Sequence, residues 1–301
     1  MLFHYFEIAY FMKEEEQEDI NQTEQQIELQ KKSNEVVYSK EYTEILSSVI
    51  HEGEEIYKKK PQAIFLSSCI AGLEIGFSYV LVCAVFFLLH GLIEDPYIYR
   101  LFGLVYPFGF VLVILGKSAL FTEQTSVLAL PVLNGQRTIL QLLTIWGIVI
   151  VGNVLGGNLF VLFISSLAPK LHLFDSKTMV TVGTHILDID PWNLFLSAVS
   201  AGWLMGLLTW LLNSTVQALT RILIIVMVTG AIGFAGFHHS IVGNLEVFGA
   251  FIHSDSISTF DYLSFLIIAM LGNGFGGAIV VGLFKYRIFE SNYSSKKDSW
   301  E

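Results

Sequence analysis

Six long apolar stretches organise the chain, at about 62–90, 99–133, 138–168, 192–213, 221–251 and 262–284. Each reaches the roughly 20 residues that a helix needs to cross the hydrocarbon core of a bilayer. Two are interrupted. The second carries Gly116, Lys117, Ser118, Thr122, Glu123, Gln124 and Thr125 in its middle, and the fifth carries GFHHSIVGN at 236–244. Such breaks are either kinks in continuous helices or loops joining two half-helices. A loop's unpaired backbone groups cost several kcal/mol each in lipid, so it must be buried in protein or line a polar cavity. The length and polarity of both breaks favour the second arrangement. Spans one to three and four to six then match in order, each set with a broken second helix. Three spans reverse the orientation of the chain, so the halves are expected to be inverted repeats whose breaks meet near the membrane midplane. The predicted fold is an all-α membrane protein of six transmembrane helices with broken second and fifth helices.

Composition agrees: 53% of the 301 residues are hydrophobic and 15% charged, with a mean hydropathy of +0.59. The net charge of −10 sits mainly in residues 1–60, which hold 14 Asp/Glu against 7 Lys/Arg. That segment, including KEEEQEDINQTEQQIELQKK, reads as an acidic, solvated tail, partly helical or disordered. Residues 61–290 form the membrane domain and 291–301 a C-terminal tail. Lys58 to Lys60, Arg137, Arg221, Lys285 and Arg287 fall on one side of the predicted spans, against Arg100, Lys170 and Lys177 on the other. Both termini are therefore expected in the cytoplasm of a cell-membrane protein. No basic stripe with interleaved aromatics points to nucleic acid. Cys69 and Cys83 lie inside the first apolar stretch, where thiols act as small hydrophobes. The N-terminus lacks the basic region and small-residue cleavage site of a removable signal peptide.

The runs GFVLVILGKSALFTEQT at 109–125, GNVLGG at 152–157, GFHHSIVGN at 236–244 and GNGFGG at 272–277 resemble the signature segments of the formate/nitrite transporter family. Their order and spacing match over nearly all of residues 60–290. FTE at 121–123 and the acidic N-terminus are most similar to its YfdC-like branch. The resemblance implies an aquaporin-like fold, a homopentamer in the lipid bilayer, and a substrate pore inside each protomer. It also assigns residues. Leu120, Phe121 and Thr122 form the gating loop on the cytoplasmic side, and His239 is the central pore histidine and proton relay. Asn273 lies near the pore. By offset, Tyr106 and Phe110 of the second span and Ile232 or Phe234 of the fifth form the apolar constrictions. This chain departs from the family in the groups that attract an anion. It has His238 in place of a glutamate, no lysine in the stretch THILDIDPW, and Gly202 in place of an asparagine. Lys117 and Glu123 flank the first break as further pore-lining polar groups, with Lys117 partly replacing the absent positive charge, unless the two pair with each other or reach for the interface. Glu74, within AGLEIGFS, is expected behind the pore or at a subunit interface.

The expected function is a passive, pH-dependent channel for small monovalent anions such as formate or nitrite, or for their conjugate acids. A similar pore suits a neutral or cationic solute such as ammonia or water. No cofactor or metal is expected and no catalytic residue is assigned: His238 and His239 are adjacent, not at metal-ligand spacing, and neither HExxH nor a P-loop pattern is present.

Overall fold

The computed structural model describes residues 41–297; the acidic run of the tail and the last four residues lie outside the described part. The elements are helices α1 (Tyr42–Tyr57), α2 (Pro61–Leu89), α3 (Asp95–Val105), α4 (Pro107–Gly116), α5 (Phe121–Leu133), α6 (Ile139–Leu167), α7 (Ser176–Leu187), α8 (Pro191–Asn213), α9 (Ala218–Ala235), α10 (Ser240–Phe251), α11 (Thr259–Phe275) and α12 (Phe284–Lys297). A π-helical segment, Gly276–Leu283, joins the last two.

Six of these units are long and apolar enough to cross a membrane: α2, α3 with α4, α6, α8, α9, and α11 running on through the π segment. Pro107 stands where α3 passes into α4, at the first position of a helix, where a missing N–H costs nothing. The predicted spans hold to within a few residues except the last, which continues as helix past 284 to Ser291. Polar residues set the helix starts. Thr138 and Gln141 cap α6 reciprocally, Ser258 and Asp261 do the same for α11, and Asp175 and Asp190 accept from the first turns of α7 and α8. The Thr178 N–H on the Asp175 carboxylate holds that carboxyl below its ordinary range.

Helix α2 packs along α6 and α8 along α11, with Gly152 and Gly156 in one seam and Gly272 and Gly276 in the other. This is the small-residue packing of helices that have no hydrophobic driving force in lipid. Large apolar side chains such as Leu66, Leu140, Leu159, Phe163, Leu223 and Leu271 face outward from the single chain.

One expected boundary moves. Residues 41–60 are not part of a solvated tail, since the compact unit begins at Glu41. Ile45, Leu46, Val49, Gly53 and Ile56 recur at helical spacing and are buried, with α1 lying on α5. Arg137 clamps α1 by donating from Nε and a terminal nitrogen to Glu54 at 2.8 and 2.6 Å, and the Tyr57 hydroxyl donates to the Leu128 carbonyl at 2.9 Å. In the second half α7 lies on α10 in the same way. A Cβ on Gly53 would strike the Val127 carbonyl oxygen of α5, and one on Gly183 the Glu246 carbonyl oxygen of α10. Each repeat therefore comprises a short surface helix followed by three spans.

Candidate functional site

The two breaks are built alike. Helix α4 ends at Lys117 and α9 at Gly236, both left-handed at φ 62° and 72°. Lys117 N–H donates to Ile114 O at 3.3 Å and Ser118 N–H to Val113 O at 3.0 Å. Gly236 N–H donates to Gly233 O at 3.3 Å and Phe237 N–H to Ile232 O at 3.1 Å. These bonds cap carbonyls that a terminating helix leaves without partners.

The extended residues that follow are held by two asparagines in equivalent places. Asn153 of α6 accepts from Phe121 N–H at 2.8 Å and donates to Ser68 O at 2.9 Å and Ala119 O at 2.8 Å. Asn273 of α11 accepts from Ser240 N–H at 2.7 Å and donates to Ala198 O at 2.7 Å and His238 O at 3.0 Å. Serines complete the pattern: Ala119 N–H donates to Ser67 Oγ and His238 N–H to Ser197 Oγ. Backbone polar groups at membrane depth are thus paired inside the protein, as hydrocarbon surroundings demand.

Where the breaks meet, His239 and Thr122 touch, with Nε2 and Oγ1 2.7 Å apart. Nδ1 of His239 accepts from Val242 N–H at 3.3 Å, which assigns the ring proton to Nε2 and makes Thr122 the acceptor. The Thr122 hydroxyl proton is left to donate elsewhere. His239 is 1% exposed. The Phe110 ring stands edge-on to it, centroids 5.0 Å apart, with Tyr106 5.4 Å beyond. Leu120 is fully buried at the position in the first break that His239 holds in the second.

A cavity approaches this contact from each side. The first, about 410 Å³, lies under α1 and is bordered by Lys117, Ser118 and Ala119 of the break, with Glu52, Glu123 and Arg221 around it. The second, about 170 Å³, lies under α7 and ends on His238 and His239. Tyr99, Tyr106, His185, Ile232 and Glu246 line its walls. Charge differs between them. Glu52, Glu55 and Glu123 of the first face Lys59, Lys117 and Arg221, whereas the second is lined by Asp188 and Glu246 and by no lysine or arginine. His185 stacks on Tyr99 with centroids 3.6 Å apart, and its burial there lowers its pKa from the ordinary imidazole value.

Most of the residues singled out in the sequence converge here, but several take other positions. Phe121 turns away from the contact to meet Trp146 edge-on at 5.6 Å. Asn273 lines neither cavity; its amide is spent tying the break to α8. His238 borders the second cavity with its ring committed to Ser197 Oγ at 2.8 Å and Ile186 O at 3.3 Å. Lys117 and Glu123 border the first, and no ion pair joins them among those of the described residues. Phe234 does not belong to a constriction. It is 61% exposed, with its backbone against Gly103, while Ile232 is buried on the second cavity. Two residues apart on a helix point about 200° apart, so one passage cannot receive both. Glu74 is half-buried beside Gly116, with Oε2 lacking a hydrogen-bond partner.

Four residues of the site were not singled out in the sequence. Asn153 had a signal, since GN begins both glycine-rich runs, at 152 and 272. Glu246 and the His185–Tyr99 stack had none, as only packing puts them on a cavity.

A repeat of broken helices, locked by paired asparagines around a buried histidine–threonine contact, defines a membrane transport protein. The chain belongs to the formate/nitrite transporter family, whose model matches residues 43–287. Its similarity to the inner membrane protein YfdC of Escherichia coli (strain K12) is 27% identity over 254 residues, covering 82% of this chain and 78% of that one. This supports the YfdC-like branch. An uncharacterized transporter, YrhG of Bacillus subtilis (strain 168), is 29% identical over 196 residues, 64% of this chain and 73% of its own. Among solved structures, an FNT family ion channel superposes with a TM-score of 0.72 at 23% identity, covering 82% of this chain and 99% of that one. A pentameric formate channel with formate bound superposes with a TM-score of 0.63 at 22% identity, covering 76% and 97%. The fold is that of these channels.

Proposed function

We propose that this protein is a passive, pH-dependent conduit for a small monovalent anion, formate, nitrite or a similar weak acid, crossing each protomer between the two cavities. The observation that carries the proposal is the His239–Thr122 contact, a buried polar pair with the Phe110 ring edge-on to it, where the two cavities approach each other. Moving a bare carboxylate-sized ion into such surroundings costs on the order of 20 kcal/mol in the idealised limit. A protonated acid carries no such cost. The acid crosses in neutral form, taking the Nε2–H of His239 and the Thr122 hydroxyl as successive hydrogen-bond partners and leaving its proton beyond the constriction, so that His239 stands at the centre of a proton relay. The excess of basic residues near Lys58, Arg137, Arg221 and Lys285 supports cytoplasmic termini with the α1 cavity on the inner side. The outward apolar side chains and the pentameric formate channel of the same fold support a homopentamer in the bilayer. The transporter and channel names of the relatives support transport and no enzymatic role.

One observation favours a second reading. The α7 cavity holds Asp188 and Glu246 without a lysine or arginine, a lining suited to a neutral or cationic solute such as ammonia. Proteoliposome flux tests both. The unaltered protein should carry formate or nitrite faster as pH falls, and His239→Phe should abolish that flux. Unchanged flux in His239→Phe rejects the relay, and ammonium-dependent flux that formate does not compete with selects the second reading.

A further inference from the structure

Glu246 has no place in the mechanism above, yet its position is unusual. It is 4% exposed, lines the α7 cavity, and has neither hydrogen bond nor ion pair with another described residue. It stands two helical turns into α10, and His239 caps the start of that helix; both line the same cavity. Between them is Gly243, which also borders the cavity and puts no side chain in the way. An isolated buried carboxylate is costly, and such groups mark solute or proton pathways by default.

The groups packed around it contribute no compensating cation. Tyr79 and Cys83 face it from α2 and Tyr106 from the junction of α3 and α4. His185 and Asp188 border the same cavity from α7 and the turn after it, and His238 and His239 from the break. The His239 nitrogens are engaged with Thr122 and the Val242 N–H until a solute displaces Thr122, and His238 is tied to Ser197 and Ile186. Glu246 is the carboxyl that remains open to an approaching solute between the mouth and the constriction. On the far side of the constriction Glu123 borders the other cavity. It is the third residue of α5, and Glu246 is the seventh of α10; the equivalent places in the opposite repeats hold Val242 and Val127. The two carboxyls are therefore not copies of one ancestral site.

We propose that Glu246 is the proton donor of the α7 cavity and Glu123 the acceptor of the α1 cavity, so that this chain moves a weak acid together with its proton. The step rests on the conduit proposed above. An anion entering under α7 takes the Glu246 proton, its oxygen forming the new O–H bond as the O–H bond of Glu246 breaks. The neutral acid then passes His239 and Thr122. Beyond them the acid's O–H proton moves to the Glu123 carboxylate and the anion is restored. Glu123 releases the proton to water in its cavity, and Glu246 regains one from its own. One proton and one anion cross per cycle, and no charge moves net. With Glu246 ionised, the two acidic groups lining the cavity, Glu246 and Asp188, both repel an anion, Arg100 stands only at the rim beside Gly236, and entry slows.

The test uses the full chain in proteoliposomes, with radiolabelled formate uptake measured from pH 5 to 8 and osmotic water entry measured in parallel. Glu246→Gln should lower formate flux at least tenfold and flatten its pH profile while leaving water entry unchanged. Glu246→Asp should keep a pH-dependent flux with a displaced midpoint. Infrared difference spectra should show a protonated-carboxyl band that Glu246→Gln removes. A wild-type pH profile in Glu246→Gln, or an equal loss of formate and water entry, overturns this assignment and leaves the conduit standing. Absence of weak-acid flux in the unaltered protein overturns both.

Discussion

Replacing Asn273 with alanine should destabilise the second break by an amount that its hydrogen bonds set. The amide accepts from Ser240 N–H and donates to Ala198 O and His238 O. Ala198 O lies within α8 and keeps a helical partner, so its loss is small. Ser240 N–H opens α10 and has no such partner, and His238 O lies in the extended segment. Each buried group so stranded costs about 1–3 kcal/mol, and the two together about 2–6 kcal/mol before any cavity term. For a chain of this size 1 kcal/mol corresponds to roughly 2–4 °C in the melting midpoint. Asn273→Ala should therefore melt at least about 4 °C below the parent in detergent. Asn273→Asp should fare no better, because a carboxylate set against two carbonyl oxygens repels where the amide donated. Asn153→Ala should behave in parallel, since the first break is tied in the same way. A melting midpoint for Asn273→Ala within 1–2 °C of the parent, by rough measure, would refute the view that this amide carries the break.

Further outcomes follow from other contacts. The Arg137 hydrogen bonds hold the Glu54 carboxyl below its ordinary value of 4.5. A depressed carboxyl contributes stability that is present above its unfolded pKa and lost as pH falls through the folded one. Glu54→Gln should therefore loosen α1 at neutral pH, measured as faster proteolysis near residue 60, and the difference from the parent should vanish as the medium is acidified below 4.5. Lys117 is a non-glycine residue in the left-handed region, a conformation that costs about 1 kcal/mol. Lys117→Gly should raise the melting midpoint by about 2–4 °C, while calorimetry showing a decrease would contradict that account. Phe234→Ala should leave flux unaltered and Ile232→Ala should change it, which transport assays on the two variants will decide.

How much of this was legible in the sequence varies with the distance over which each feature is decided. Span number, the positions of both breaks and the repeat follow from local composition, because a bilayer admits only about 20-residue apolar helices and forbids unpaired backbone facing lipid. The prominence of His239 was legible too, carried by its place in GFHHSIVGN. What the tertiary structure alone decided is which side chains share a cavity. Phe234 and Ile232 look interchangeable in the sequence, and the rotation of α9 separates them. Residues 41–57 are too charged to read as membrane domain, but their buried stripe finds a face on α5 that no local pattern announces. Asn273 and Asn153 became structural ties once their carbonyl and N–H partners, more than 30 residues away in every case, were in place. Glu246 lies within an otherwise ordinary apolar helix, and the meeting of α7, α9 and α10 turns it toward the passage. A chain can state which residues cannot face lipid, but what they face instead depends on partners brought together only when the two repeats close on each other.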